Sequence, residues 1–291
     1  MIVEDYIDPK SRCVSGYIAN MPNDVYHAHD GRISNSGLKH MARSPAHYQA
    51  YMREEKKQTR NLVLGKALHC AVFEPDVFYQ EFHLLRKAPD RVCTEYKTAK
   101  KEFGEEFVLI APEAEKIEGI MKSLANNKAA KDLLKQGGHC ELSGFSKDPE
   151  TGVLCKHRFD KLLNDGRAVD LKSTIDAREW QFSKTILTYG YHQQAAFYSD
   201  QHEWITGNKL ERFSFIAVES SAPYSCIVYK KIDDESMRIA RTKYRENLNK
   251  YAECLSKNEW PGYDGDEVES IGIPEWAVNQ ELIDQMEFDD E

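Results

Sequence analysis

The chain has 291 residues, with 39 basic and 48 acidic side chains and a formal net charge of −9, and is long enough to bury a full core without disulfide or metal staples. No apolar run approaches the roughly 20 residues needed to cross a bilayer, and Met1-Ile2-Val3-Glu4-Asp5 lacks the basic-then-apolar pattern of an export signal. Seven scattered cysteines without a C-x-x-C pair argue against a disulfide framework or a zinc site and fit reduced thiols in a cytoplasmic protein.

Residues 1–33 read as irregular, punctuated by Pro9, Gly16, Pro22 and Gly31. Ser34 or Ser36 can cap a helix running to about Ser44, and Pro45 suits the first turn of a second that reaches about Lys56. Asn61 to Phe73 predicts a third helix, stopped by Glu74-Pro75. Helices over Tyr96 to Glu105 and Pro112 to Gln136 flank the apolar run Phe107-Val108-Leu109-Ile110. Strands are expected over Glu141 to Ser146, Val153 to Leu163 and Arg167 to Ser173, then helices over Arg178 to Leu187 and Tyr191 to Trp204 with Gly190 between them. Strands at Arg212 to Glu219 and Ser225 to Lys231 and a long helix from Asp234 to Lys257 complete the core. This order predicts an α/β protein, a mixed β-sheet flanked by helices with an N-terminal helical elaboration. One domain is expected over residues 1–280, followed by a flexible acidic tail at 281–291.

Charge is unevenly spread. Residues 258–291 hold twelve acids and no Lys or Arg, which leaves +3 on residues 1–257. A body so weakly basic needs a three-dimensional channel, or several subunits, to hold a polyanion.

The most informative pattern is Asp160-x9-Asp170-x-Lys172. Asn164-Asp165-Gly166 has the form of a three-residue hairpin loop, a type I turn plus a glycine bulge. That register pairs Leu163 with Arg167 and sets Asp160 opposite Asp170. Facing carboxylates repel unless a cation sits between them, and an oxygen-rich site suits Mg²⁺, with Mn²⁺ a plausible substitute. Lys172 shares a strand face with Asp170, where it can position or help deprotonate a water, or stabilise charge on a phosphate. A bare D-x-K is also what a surface ion pair looks like, so its neighbours decide.

His69 lies on the third helix, four residues after Gly65, and a glycine mid-helix costs on the order of 1 kcal/mol relative to Ala. Close packing or close approach of a ligand would explain it. Gln194 and Tyr198 project from one helical face and would either hold a phosphate or a base edge or anchor the helix to the sheet. Glu141 opens a strand and either joins a metal site or sits exposed at the strand end. Lys39, His40, Arg43, Lys66, Lys156, Arg158, Lys161 and Arg178 are available to phosphates, most of them as solvated surface.

Taken in order, Gly65-x3-His69, Glu141, Asp160, Asp170-x-Lys172 and Gln194-x3-Tyr198 resemble the PD-(D/E)XK nucleases of the RecB-like branch. The stretches Gly65-Lys66-Ala67-Leu68-His69, Asp148-Pro149-Glu150-Thr151-Gly152, Asp170-Leu171-Lys172-Ser173-Thr174, Tyr191 to Asp200 and Glu259-Trp260-Pro261 are similar to the RecE-type (exonuclease VIII) nuclease domains, from about Tyr26 to Trp276. Phe159 stands where the superfamily name has Pro, a change that loses no ligand.

The resemblance implies a Mg²⁺-dependent 5′-to-3′ exonuclease on the ends of linear double-stranded DNA, leaving 3′ overhangs for recombination by single-strand annealing. It implies a RecT-type annealing partner, a homo-oligomeric ring and a free-standing enzyme of phage or prophage type. By position, His69, Asp160, Asp170 and the Leu171 carbonyl would bind metal. Lys172 would position or activate the attacking water and Glu141 would support the metal site. Gln194, Tyr198, Arg158 and Lys66 would contact DNA, Gln194 also orienting catalytic groups. An iron–sulfur nuclease is disfavoured, because only Cys226 and Cys254 follow the Gln194 helix and they are too far apart for a cluster. A structure-selective endonuclease and a non-catalytic DNA-binding scaffold remain the alternatives.

Overall fold

The computed structural model describes residues 3–6, 15–28, 31–54 and 58–263, with 268, 270–273, 275 and 278 beyond them. In chain order its elements are β1 (Val3–Asp5), β2 (Gly16–Ala19), α1 (Asn23–His27), α2 (Asn35–Arg43), α3 (Pro45–Arg53), α4 (Arg60–Phe73), α5 (Pro75–Glu81), β3 (His83–Leu85), α6 (Thr94–Phe103) and β4 (Val108–Ile110). There follow α7 (Ala111–Asn126), α8 (Lys128–Lys135), β5 (Gly138–Lys147), β6 (Leu154–Leu163), β7 (Arg167–Thr174), α9 (Glu179–Tyr189), α10 (Tyr191–Thr206), β8 (Arg212–Glu219), β9 (Cys226–Tyr229) and α11 (Asp234–Lys257).

Local chemistry sets most boundaries. Ser34 accepts from the Gly37 amide, Ser44 from His47 and Thr59 from Leu62, so α2, α3 and α4 each start on a hydroxyl cap. The single helix expected over 112–136 is instead two. Asn127 ends the first, caps the second by accepting from the Ala130 amide, and donates to the Cys226 carbonyl at the sheet edge. Gly190, at φ +64°, turns the chain from α9 into α10.

Seven strands form one mixed sheet in the order β1-β2-β5-β6-β7-β8-β9. β5, β6 and β7 are antiparallel, β7 and β8 run parallel, and β9 returns antiparallel. β1 and β2 lie in the stretch expected to be irregular. They are three and four residues long and are held by pairing β2 against Ser143 to Phe145 of β5, across more than 120 residues of sequence, a non-local contact that no local pattern announces.

Helices cover both faces. Leu68, Ile120, Val169, Leu171 and Ile216 pack α4, α7 and α8 on one side; Phe182, Ala195, Ala168, Phe213 and Phe215 pack α9 and α10 on the other. Phe197, Tyr244, Leu248 and Met41 join α10, α11 and α2 beyond. The apolar run at 107–110 pairs in parallel with β3 as a separate two-stranded sheet. Arg60 locks the start of α4 to α7 by donating to Glu113 from Nε at 2.7 Å.

The compact unit spans Met1–Trp260, and Pro261–Glu291 forms a second. Trp260 stacks on Tyr48 at a centroid distance of 5.6 Å. The acidic tail expected at 281–291 lies outside the described residues. Among the described residues no helix is long and apolar enough to cross a membrane.

Candidate active site

The hairpin forms as its turn chemistry requires. Gly166, at φ +82°, donates to the Leu163 carbonyl at 3.0 Å, and the ladder pairs Lys161 with Val169 and Leu162 with Ala168. Carried one step further, this register faces Asp160 with Asp170. There the two strands part, and Asp160 Oδ2 accepts the Leu171 amide at 2.8 Å, so a side chain takes a backbone donor at the point where the ladder ends.

The β5–β6 register pairs Cys140 with Lys161 and Leu142 with Phe159, which places Glu141 opposite Asp160 on the other side. Three carboxylates therefore stand in a row across β5, β6 and β7. Glu141 lies four residues into β5, not at its opening, and has φ +45°. A bulky residue in this left-handed region costs on the order of 1–3 kcal/mol and is held there by its surroundings. It breaks the side-chain alternation: Cys140 joins the core under α4 and α8, whereas Leu142 joins the core under α10.

α4 delivers His69, whose Nδ1 lies 3.4 Å from Asp160 Oδ2. His69, Glu141 and Asp160 each offer an atom within 4.8 Å of the others, a grouping able to hold a metal ion. Asp170, 1 % exposed, sits beside this trio with other partners. Its Oδ2 is 2.6 Å from the Lys172 ammonium, and its Oδ1 accepts from Gln194 Nε2 at 2.6 Å. Lys172 also lies over the Tyr191 ring, 4.5 Å from its centroid.

Protonation reflects this crowding. Burial and the neighbouring Asp160 charge lift Glu141 to about 7 and Asp170 to about 6. Burial pushes Asp160 the same way, but His69, Lys172 and the Leu171 amide outweigh it and keep it ionised. Burial disfavours the His69 imidazolium, yet Asp160 and Glu141 raise it to about 9. Lys172 likewise stays an ammonium against burial, held by Asp170 and Asp160. Three acids around two cations leave an excess of negative charge that a divalent cation would relieve, and a donor set of carboxylate oxygens with one imidazole suits a hard ion.

The other expected contacts divide. Gln194 reaches Asp170, whereas Tyr198, one turn on, packs between the rings of His157 and Phe159 and hydrogen-bonds the Arg158 backbone, so it backs β6 behind Asp160. The Arg158 guanidinium donates to Ser143 Oγ and the Met21 carbonyl and lies over Tyr26. Lys66 lies over Phe107. Lys156 and Lys161, expected as solvated cations, are buried and donate to the carbonyls of Tyr26, Ala28 and Leu134. Lys39, another of these basic residues, donates from its ammonium to the Tyr189 carbonyl at the end of α9 and feels both Lys172 and Asp170. Its position depends on α2 packing against α10, also tied by Gln193 donating to Asn35 at 2.9 Å, and nothing in the local sequence signals it.

A model of a PDDEXK-like domain of unknown function (DUF3799) matches residues 34–271. Among solved structures, the chain is similar to a candidate exonuclease from Eubacterium rectale, with 16 % identity and a TM-score of 0.60 over 89 % of this chain and 98 % of that one. An alkaline exonuclease from Laribacter hongkongensis aligns at 14 % identity and a TM-score of 0.29, over 78 % of this chain and 93 % of that one. No curated protein matches significantly.

Proposed function

Since the chain belongs to the PDDEXK-like domain family DUF3799, we propose that it is a divalent-metal-dependent nuclease that cuts DNA. The observation that carries this reading is the convergence of Glu141, Asp160 and Asp170 from three adjacent strands with His69 from α4 and Lys172 from β7. Phosphodiester hydrolysis needs an oriented water, neutralisation of charge building on phosphorus, and a group to assist the leaving oxygen.

His69, Glu141 and Asp160 would hold the metal, with Asp170 and the Leu171 carbonyl completing its surroundings. When bound, it supplies Lewis-acid polarisation of the phosphate and lowers the pKa of water. Lys172 keeps its proton against Asp170, which favours a cation that hydrogen-bonds the phosphate over a base. Gln194 donates to Asp170 and so fixes the carboxylate that holds Lys172. Tyr198 and Arg158 set the β6 backbone on which Asp160 rides.

The finer reading is a Mg²⁺-dependent 5′-to-3′ exonuclease on linear duplex ends, leaving 3′ overhangs for a RecT-type annealing partner. It rests on the RecE-like motif order, supported by the exonuclease name of the Eubacterium rectale protein. A homo-oligomeric ring would let a body of only +3 charge stay on DNA by enclosing it. The test is digestion of duplexes labelled separately at the 5′ and 3′ ends, with Mg²⁺, Mn²⁺ or chelator, beside covalently closed circles. Loss of 5′ label only, and only with metal, is expected. Cutting of closed circles would replace the exonuclease with an endonuclease, and no cutting under any metal would remove the nuclease reading.

A further inference from the structure

Beside the carboxylate cluster lies a cleft of about 530 Å³, walled by α4 and α7 on one side and α9 on the other. It starts where the site ends: Leu68 and Ser173, among its lining, are the chain neighbours of His69 and Lys172, and Tyr191, under the Lys172 ammonium, lines it too. The volume falls in the range of small-molecule pockets, about 300–1,000 Å³, too small for a duplex whose major groove alone is about 12 Å wide. In a protein of net charge −9, the cleft is lined by two lysines, Lys116 and Lys184, and by no carboxylate.

Two further observations point to a ligand. Gly65 lies mid-helix in α4 and lines the cleft, yet a Cβ built on it meets nothing within 4 Å, and its φ is not positive. Neither packing nor backbone conformation demands glycine there, although it weakens a helix interior relative to Ala. Room for something that enters the cleft is the motive left. Of the lining, Ile175 is 91 % exposed and Tyr189 is exposed as well, and the exposed Trp180 lies beside the lining residue Lys184. Trp180 has the Lys184 ammonium 4.9 Å from its ring centroid, and on its other side, at 5.4 Å, the Arg178 guanidinium, which is paired with Asp176. Exposed rings interleaved with cations, over an acid-free cleft, match single-stranded nucleic acid, whose bases stack on rings while its phosphates meet lysines. An apolar protein partner would leave the two lysines without a purpose.

We infer that this cleft binds unpaired nucleotides of the strand being cut, next to the scissile phosphate, with Trp180 and Tyr189 as stacking surfaces and Lys116 and Lys184 at the phosphates. This rests on the nuclease reading and deepens it: the substrate strand reaches Lys172 already separated from its complement. Gly65 keeps the α4 wall low enough for that strand to pass.

The experiment measures binding of a fluorescent oligothymidylate to the full chain in chelator, where no metal-dependent cutting occurs, together with thermal stability. Gly65→Ala is expected to raise the melting temperature by roughly 2 to 4 °C while weakening binding severalfold, two effects that a purely structural glycine would not combine. Trp180→Ala is expected to weaken binding about tenfold, the scale of one lost base–aromatic stack. Trp180→Phe should restore most of it, and Lys209→Ala, in the recess at the start of β8, should leave it unchanged. Binding unaffected by Gly65→Ala and Trp180→Ala, or no binding by the unmodified chain, would overturn the inference. These outcomes separate from failure of the nuclease reading, in which the strand binds in chelator but no metal produces cutting.

Discussion

A recess of about 960 Å³ between α10, α11 and the start of β8, and the cleft of about 530 Å³ between α4, α7 and α9, follow opposite electrostatic rules. Five acids and five bases line the larger one. Several of them are matched: Arg241 to Asp200 at 3.0 Å, Lys231 to Asp234 at 2.8 Å, and Arg245 to Asp148 at 2.8 Å. Tyr244 donates to the same Asp200. The contacts to Asp200 and Asp148 tie α11 to α10 and to the β5–β6 turn, where Asp148 also accepts the Thr151 amide at 3.0 Å. The smaller cleft presents lysines without acids and opens beside carboxylates held in excess of their cations. The proposed functional face is therefore set apart by unbalanced charge and not by size. The same contrast divides the acids of the RecE-like motif order: Asp148 and Asp200 are paired with cations of α11, whereas Glu141, Asp160 and Asp170 form the cluster proposed to carry the chemistry.

Asp160→Asn should break the comparison on the catalytic side most severely. It removes the negative charge beside His69 and leaves one oxygen to serve both a metal and the Leu171 amide, and metal-dependent DNA cutting is expected to fall on the order of a thousandfold. Asp200→Asn should leave the rate per folded molecule unchanged in the same gel assay. Asp148→Ala tests the scaffolding side. It takes from the Arg245 guanidinium its partner at 2.8 Å and leaves only the exposed Glu150 at 3.5 Å, and losing a hydrogen bond between charged groups costs about 1.5–3 kcal/mol. Urea unfolding should show that loss in stability while metal binding by the folded fraction persists.

The pH dependence of metal binding sharpens the comparison further. In the metal-free protein His69 titrates at about 9, Glu141 at about 7 and Asp170 at about 6, and a metal must displace whichever of these protons are bound. Raising the pH removes those competitors, so affinity should rise by up to about tenfold per unit for each proton displaced, and level off above about pH 9. Calorimetry in buffers of different ionisation enthalpy would detect the released protons. A pH-independent affinity between 6 and 9 would place the metal elsewhere.

Glu141→Asn has the smallest expected effect. Asn tolerates the left-handed backbone better than Glu, and the change removes a buried carboxyl crowded by Asp160. Stability should rise by about 1 kcal/mol, or roughly 2–4 °C in melting temperature for a domain of this size, while metal affinity falls. A drop in both would mean that Glu141 supports the strand instead of straining it.

Legibility in the sequence followed the range of the interactions. The hairpin was readable because Asn164-Asp165-Gly166 dictates a turn, the turn dictates the register, and the register sets Asp160 against Asp170 within eleven residues. The cap at Ser34, Pro45 in the first turn of the next helix and the break at Gly190 were readable for the same reason, whereas the hydroxyl caps at Ser44 and Thr59 came from the structure. β1 and β2 were not readable, because pairing of β2 with β5, and of β1 with β2, makes them strands. The Asn127 break escaped notice because the acceptor of its side-chain amide, the Cys226 carbonyl, is distant in sequence. Gln194 and Tyr198 share a helical face, so spacing alone gave them one role; the approach of α10 to two different strands gave them two.

From its residues alone this chain determined an α/β mixed sheet flanked by helices, the acidic hairpin with its lysine, and the order of motifs that marks the PDDEXK-like family, since each depends on neighbours a few residues apart. Tertiary structure decided the rest: that Glu141 adopts a left-handed backbone to face Asp160, that Lys39 and Lys156 are held by carbonyls, and that the acid-free cleft adjoins Lys172. These depend on where separately formed elements dock, and docking is governed by the fit of the whole core, which no local pattern contains.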